Sequence, residues 1–140
     1  MKTEKKMKFL FVVLNVVGLS LAALDIAEHL RAPLKQMRKG CVEQTGVDEK
    51  YIDESKNGNL PDIPELRCYV LCLMEHSGII DDAGVVDFSK IYHLFTPSMK
   101  ETFQDATNDC GTIHGDTRCD TAYLTFKCFV TKYPKDAELP

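Results

Sequence analysis

The chain has 140 residues, with 17 Lys plus Arg against 21 Asp plus Glu, so its formal charge is −4 and a single domain is the natural count. That balance lacks the basic surface needed to neutralise a run of phosphates, so nucleic acid is not an expected partner. A hydrophobic content of 44% is too high for a disordered chain, and six cysteines form an even set with no CxxC spacing.

Met1 to Lys8 holds Lys2, Lys5, Lys6 and Lys8 against Glu4, and the apolar run Phe9 to Leu24 follows, broken by Asn15, Gly18 and Ser20. Its 16 residues fall short of the roughly 20 needed to cross a bilayer, and it ends in the small residues Ser20, Ala22 and Ala23. Residues 1–22 therefore read as a signal peptide cleaved after Ala22 or Ala23, leaving 23–140 as the mature domain. Cleavage removes four Lys and one Glu and leaves 13 basic against 20 acidic residues, a formal charge of −7. The expectation is a soluble, acidic, secreted protein without stable membrane insertion. Secretion through an oxidising compartment suits disulfides, and no Asn-x-Ser/Thr acceptor is present.

From Asp25 onward Ile26, Leu30, Leu34, Met37 and Cys41 recur at helical spacing; Pro33 predicts a kink or break, and Gly40 a turn. Asp48 to Lys56 reads as a short helix closed by Asn57-Gly58. Asp62 is the expected cap of a helix with Pro64 in its first turn and Leu66, Tyr69, Val70 and Leu73 on its apolar face, ending at Gly78. Asp81-Asp82-Ala83-Gly84 reads as a turn. Asp87 then caps a helix bearing Phe88, Ile91, Tyr92 and Phe95. Thr96-Pro97 ends it and starts the next, with Met99, Phe103, Ala106 and Cys110 on one face and Gly111 at its close. A last helix runs from about Thr117 to Lys132, with Ala122, Tyr123, Phe126, Phe129 and Val130 inward. With no sustained alternation of period two, the fold class is all-α, about six short helices.

Cys41, Cys68, Cys72, Cys110, Cys119 and Cys128 are separated by 26, 3, 37, 8 and 8 residues. Cys68 and Cys72 lie four apart on one helix and project the same way, so they reach different partners; spacing alone leaves the other pairings open. This pattern on a helical secreted chain resembles the six-cysteine insect odorant-binding proteins, the pheromone and general odorant-binding family. The segments Cys68-Tyr69-Val70-Leu71-Cys72, Asp81-Asp82-Ala83-Gly84 and Cys119 to Cys128 carry the likeness, which covers the whole mature chain. The resemblance implies the bridges Cys41–Cys72, Cys68–Cys119 and Cys110–Cys128 around an apolar cavity. Each closure is worth on the order of 3–4 kcal/mol in the chain-entropy account, offsetting core contacts given up to the cavity.

The resemblance also implies a carrier that reversibly takes odorants or pheromones through aqueous lymph toward an olfactory receptor. It places Phe88, Ile91, Tyr92, Phe95, Met99, Phe103, Phe126 and Phe129 on the ligand wall, with Tyr92 and Tyr69 as hydroxyl donors. Burying roughly 300 Å² of ligand yields about 7 kcal/mol before association costs, which predicts micromolar affinity. Lys39, Tyr69 and the carboxylate of Pro140 match the family's lid latch, although the tail Lys135 to Pro140 offers only Leu139 as an apolar plug. Some relatives form homodimers.

No cofactor is expected. His29, His76, His93 and His114 show no HxxxH or Cys/His ligand spacing, so no metal site is expected, and Asp81 and Asp82 read as turn residues because the EF-hand's terminal Glu is missing. A secreted phospholipase would need a His-Asp couple, but His76, His93 and His114 are followed by Ser77, Leu94 and Gly115; the chain is not read as an enzyme. A helical cytokine is a second alternative, which saturable binding of an apolar probe would separate. A non-sensory carrier or a salivary scavenger of biogenic amines is a third, and the amine reading requires an inward carboxylate that the wall does not offer.

Overall fold

The computed structural model describes residues 29–56, 58–135 and 139–140. The expected leader and its expected cleavage site, and Asn57, lie outside these. The chain divides into two units, Met1–Gln36 and Met37–Pro140. In the first, residues 29–36 are helical throughout, so the break, one of the two outcomes expected at Pro33, does not occur. A proline withholds a single donor, and the neighbouring backbone bonds carry the helix past it.

The second unit opens with helical residues 37–45 (α1), and the turn expected at Gly40 does not occur. One glycine costs a helix interior under about 1 kcal/mol, and the structure tolerates it here. The chain turns instead at Gly46, whose φ of +71° is left-handed and whose N–H reaches the Val42 carbonyl at 2.9 Å. Helix α2 (Glu49–Ser55) is capped by Asp48, whose carboxylate accepts from the Lys50 N–H.

Helix α3 (Pro64–His76) starts one residue later than its expected cap allows. Pro64 at the first helical position makes Ile63 the N-cap, with no side-chain bond, and frees Asp62 to pair with Arg67. The helix ends in a double reverse turn: the Gly78 N–H bonds the Glu75 carbonyl and the Ile79 N–H bonds that of Met74. Met74 and Ile79, both buried, flank this turn. Residues 81–84 form the expected turn. The Asp81 carboxylate accepts from the Val85 N–H at 2.8 Å, and an isolated antiparallel bridge joins Ile80 to Val86.

Phe88–Leu94, expected as an α-helix, is a 3-10 helix capped by Asp87. Ser, Ile, Tyr and His are weak helix formers, and Thr96-Pro97 follows within one turn, so the segment never gains the length that rewards the wider helix. Helix α4 (Pro97–Cys110) begins on the Thr96 cap and stops at Gly111, as predicted. Helix α5 (Arg118–Lys132) is opened by a reciprocal box in which Thr117 and Asp120 satisfy each other's backbone donors.

The described residues contain no strand, and the all-α class stands. Helices α3 and α5 pack side by side, with Leu66, Tyr69 and Val70 against Ala122, Phe129 and Val130 in one buried cluster. Disulfides join Cys41 to Cys72, Cys68 to Cys119 and Cys110 to Cys128, the pairing the family resemblance implied. These tie α1 to α3, α3 to the first turn of α5, and the last residue of α4 to α5. A hydrogen bond lies at the same end of α4, where the Tyr133 hydroxyl donates to Asp109 at 2.7 Å.

Candidate functional site

The 3-10 helix, α4 and α5 each contribute aromatic rings to one cluster. Phe103 of α4 is its hub, with ring centroids 4.3 Å from Phe95, 4.6 Å from Phe129 and 5.4 Å from Phe88. Phe126 lies 6.3 Å from Phe129, and Tyr92 lies 6.4 Å from Phe95. These separations and tilts suit ring–ring attraction, and the assembly presents little but carbon. Phe88, Phe126 and Phe129 are buried, and Ile91, Tyr92 and Phe103 are half-buried against the core.

The tighter winding of the 3-10 helix explains how its residues divide. At three residues per turn Phe88, Ile91 and Leu94 fall in one row, and Leu94, at the open end, is 43% exposed. Tyr92 and Phe95 leave that row, yet Phe95 in its extended cap position still reaches Phe103. Met99 is 38% exposed and is not among the residues packed on the core, so the structure does not bring it into the cluster. Its place in the first turn of α4, four residues before the hub, sets it toward the rim.

Two further residues join the cluster. Tyr133 stacks on Phe129 at 5.7 Å; it continues the period of Phe126 and Phe129, and the helix-breaking Pro134 obscured that signal. Its hydrogen bond to Asp109, followed by burial, pushes its hydroxyl up to about 12. Leu139 is the other, 3% exposed in the core cluster, and the tail end thereby returns to the body of the second unit.

Beside Leu139, the hydroxyl of fully buried Tyr69 donates to the Pro140 main-chain oxygen at 2.5 Å. Tyr69 is thus already engaged and offers no spare donor to a ligand. Burial raises its pKa to about 12, with the positive charge of Arg38 opposing. Lys39 is exposed and joins neither Tyr69 nor Pro140 among the described residues. The cation whose field reaches Tyr69 is Arg38, held by Glu49 at 2.9 Å and Asp53 at 3.1 Å. Helical phase carried that signal, since Arg38 stands three residues before buried Cys41 and shares its side of α1.

Nothing in this arrangement supplies catalytic chemistry. The described group dense enough in ligand atoms for a metal, Cys41, Cys72 and His76, has both sulfurs locked in a disulfide. A surface depression of about 310 Å³ between the N-terminal ends of α3 and α5 is lined by Arg67 and Asp120, which already pair with each other at 2.6 Å.

Residues 24–132 match the PBP/GOBP family. The chain belongs to that family. General odorant-binding protein 69a of Drosophila melanogaster is 33% identical over 108 residues, 76% of this chain and 73% of its own. Among solved structures, Odorant Binding Protein 4 of Chrysopa pallens superposes with a TM-score of 0.72 at 26% identity, over 81% of this chain and 97% of its own. Fatty acid binding protein OBP56a from the oral disk of the blowfly Phormia regina gives 0.62 at 28% identity, over 77% and 95%. The family consists of small-molecule carriers, not enzymes, and no described helix of this member is long and apolar enough to cross a membrane.

Proposed function

We propose that this odorant-binding family member is a secreted carrier that reversibly holds a small apolar molecule, an odorant or pheromone, among the rings around Phe103 and delivers it through aqueous lymph toward a chemosensory receptor. The observation that carries the reading is the convergence of Phe88, Phe95, Phe103, Phe126 and Phe129 from three helical segments of a disulfide-framed second unit. Disulfides tie α5 to α3 and the end of α4 to α5, which lowers the cost of ordering the rings those two helices bring, and carbon-lined sites favour neutral, weakly polar guests. The amine-scavenger alternative has no such support, because Glu101 and Asp105 of α4 are both exposed.

Secretion rests on the basic start and apolar run of residues 1–22, and the family match beginning at residue 24 fits that boundary. The return of Leu139 to the core and the Tyr69–Pro140 bond support a tail that closes over the site, with Arg38 in place of Lys39 as the nearby cation.

Displacement of a fluorescent apolar probe from the oxidised protein by a panel of volatiles tests the assignment. Micromolar, saturable probe binding that weakens about tenfold in Phe103→Ala is expected, since truncation removes roughly 40–60 Å² of apolar contact. Failure of the folded wild-type protein to bind the probe would overturn the carrier assignment, and unaltered binding in Phe103→Ala would remove this cluster from the site.

A further inference from the structure

The three disulfides sit in different surroundings. Cys41 and Cys72 are buried, at 0% and 1% exposure, which keeps a thiol in solution from their sulfurs. Cys110 and Cys128 are half-buried. Cys110 is the last residue of α4, where the free carbonyls of the helix end disfavour a new negative charge, and Asp109 precedes it in the chain. Cys68 and Cys119 are half-buried as well, but together they line the depression of about 310 Å³ between the starts of α3 and α5, with Pro64 and Thr117 around them. That volume falls within the range of small-molecule sites.

Cys119 is the second residue of α5, where main-chain N–H groups have no acceptor within the helix and the helix end carries partial positive charge. A thiolate is stabilised at such a position. The charged neighbours are already paired. Asp120, the acid that lines the depression, is held by Arg67 at 2.6 Å; Arg67 also pairs with Asp62, and Arg118 reaches Glu75 at 3.4 Å.

We infer that Cys68–Cys119 is a thiol-exchange site, open to low-molecular-weight aliphatic thiols that enter this depression, with Cys68 the sulfur attacked and Cys119 the leaving group. The entering thiol gives its proton to water, and its thiolate pair forms a new S–S bond to Cys68. The pair of the old bond departs with Cys119, which becomes the thiolate at the start of α5. A second thiol attacks the mixed disulfide in the same way and leaves with the first as their disulfide. Two thiols thus supply two electrons, and Cys68 and Cys119 end as thiols after taking up the protons given to water. The exchange unties α3 from the first turn of α5, while the other bridges keep α1 on α3 and α4 on α5. Access and the acidity of the leaving thiol both govern the rate of such exchange, and of the three bridges this one combines them.

Incubation of the oxidised protein with excess reduced glutathione at about pH 8, stopped with N-ethylmaleimide and followed by peptide mapping, tests this. The expected result is loss of Cys68–Cys119 about tenfold or more faster than loss of either other bridge, with the first glutathione adducts on Cys68 and the maleimide on Cys119. About 1 M urea, which raises a globally unfolded population at least fivefold, should leave that rate nearly unchanged, because attack falls on the folded protein. Early loss of Cys110–Cys128 or Cys41–Cys72 would overturn the inference, as would joint loss of all three bridges at a rate that climbs with urea. First adducts confined to Cys119 would overturn the assignment of attacked and leaving sulfurs.

Discussion

Tyr69 and Pro140, 71 residues apart, are joined by a hydrogen bond from the phenol to the main-chain oxygen, with the ring fully buried in α3. The bond needs the protonated phenol. Burial lifts the Tyr69 pKa from 10.0 to about 12, so the folded state binds this proton more tightly than the unfolded chain does. Its contribution is fully present below pH 10 and is lost as pH rises toward about 12. Denaturant titrations between pH 9 and 12 should show a declining stability whose slope is smaller in Tyr69→Phe. At neutral pH the same variant should lose roughly 1 kcal/mol. Identical alkaline slopes in the two proteins would dismiss the coupling.

Gly115 is required by close approach. A Cβ built there would stand 2.4 Å from the Asp120 Cβ, and Asp120 cannot retreat because Thr117 and Arg67 both hold its carboxylate. Gly115→Ala should therefore cost roughly 1–3 kcal/mol, as other overpacked sites do. Thermal unfolding of the purified variant measures this, and a melting point equal to wild type would refute it.

The Cys68–Cys119 bridge closes 51 residues and couples the two helices that form the core. Replacing both cysteines by Ser should lower stability by about 4 kcal/mol in the chain-entropy account. Probe affinity should fall with it, because the aromatic rings of α5 are positioned through α3. Guanidinium titration with probe binding followed in parallel checks both, and a variant that unfolds early but binds normally would separate frame from site.

Expression of the full chain in insect cells should release a protein whose N-terminus is Ala23 or Leu24. Sequencing of the secreted product decides this, and retention of residues 1–22 would refute cleavage.

Local chemistry made most of the helices readable. Thr96-Pro97, Thr117 and Asp48 each cap the helix that their residue type and position indicate, and Gly111 ends α4 as a left-handed stop should. The errors came where two local signals competed. Asp62 is a good capping residue, but the fixed φ of Pro64 set the boundary one residue later. Gly40 is a good turn residue, yet it stays inside α1, whose end Gly46 sets. The cluster around Phe103 followed from helical period, because rings repeat on one face of α4 and α5. Tyr133 and Leu139 were hidden by long-range packing, since neither the break at Pro134 nor a charged tail announces a return to the core. The exposure of Met99 was equally illegible: period places it on the Phe103 face, and only the narrow 3-10 segment opposite leaves it uncovered.

Helix α4 is anchored at one end. Its covalent tie at Cys110 and the hydrogen bond at Asp109 both fall in the last turn, while its earlier turns meet their neighbours through rings, Phe103 against Phe88, Phe95 and Phe129 and Lys100 over Tyr92. If the ring cluster is the ligand site proposed above, a guest entering between those rings exchanges one set of dispersion contacts for another of similar size. Loading and unloading would then demand only a small wedge-like opening of the untied end of α4, a motion suited to a shuttle that must let its passenger off.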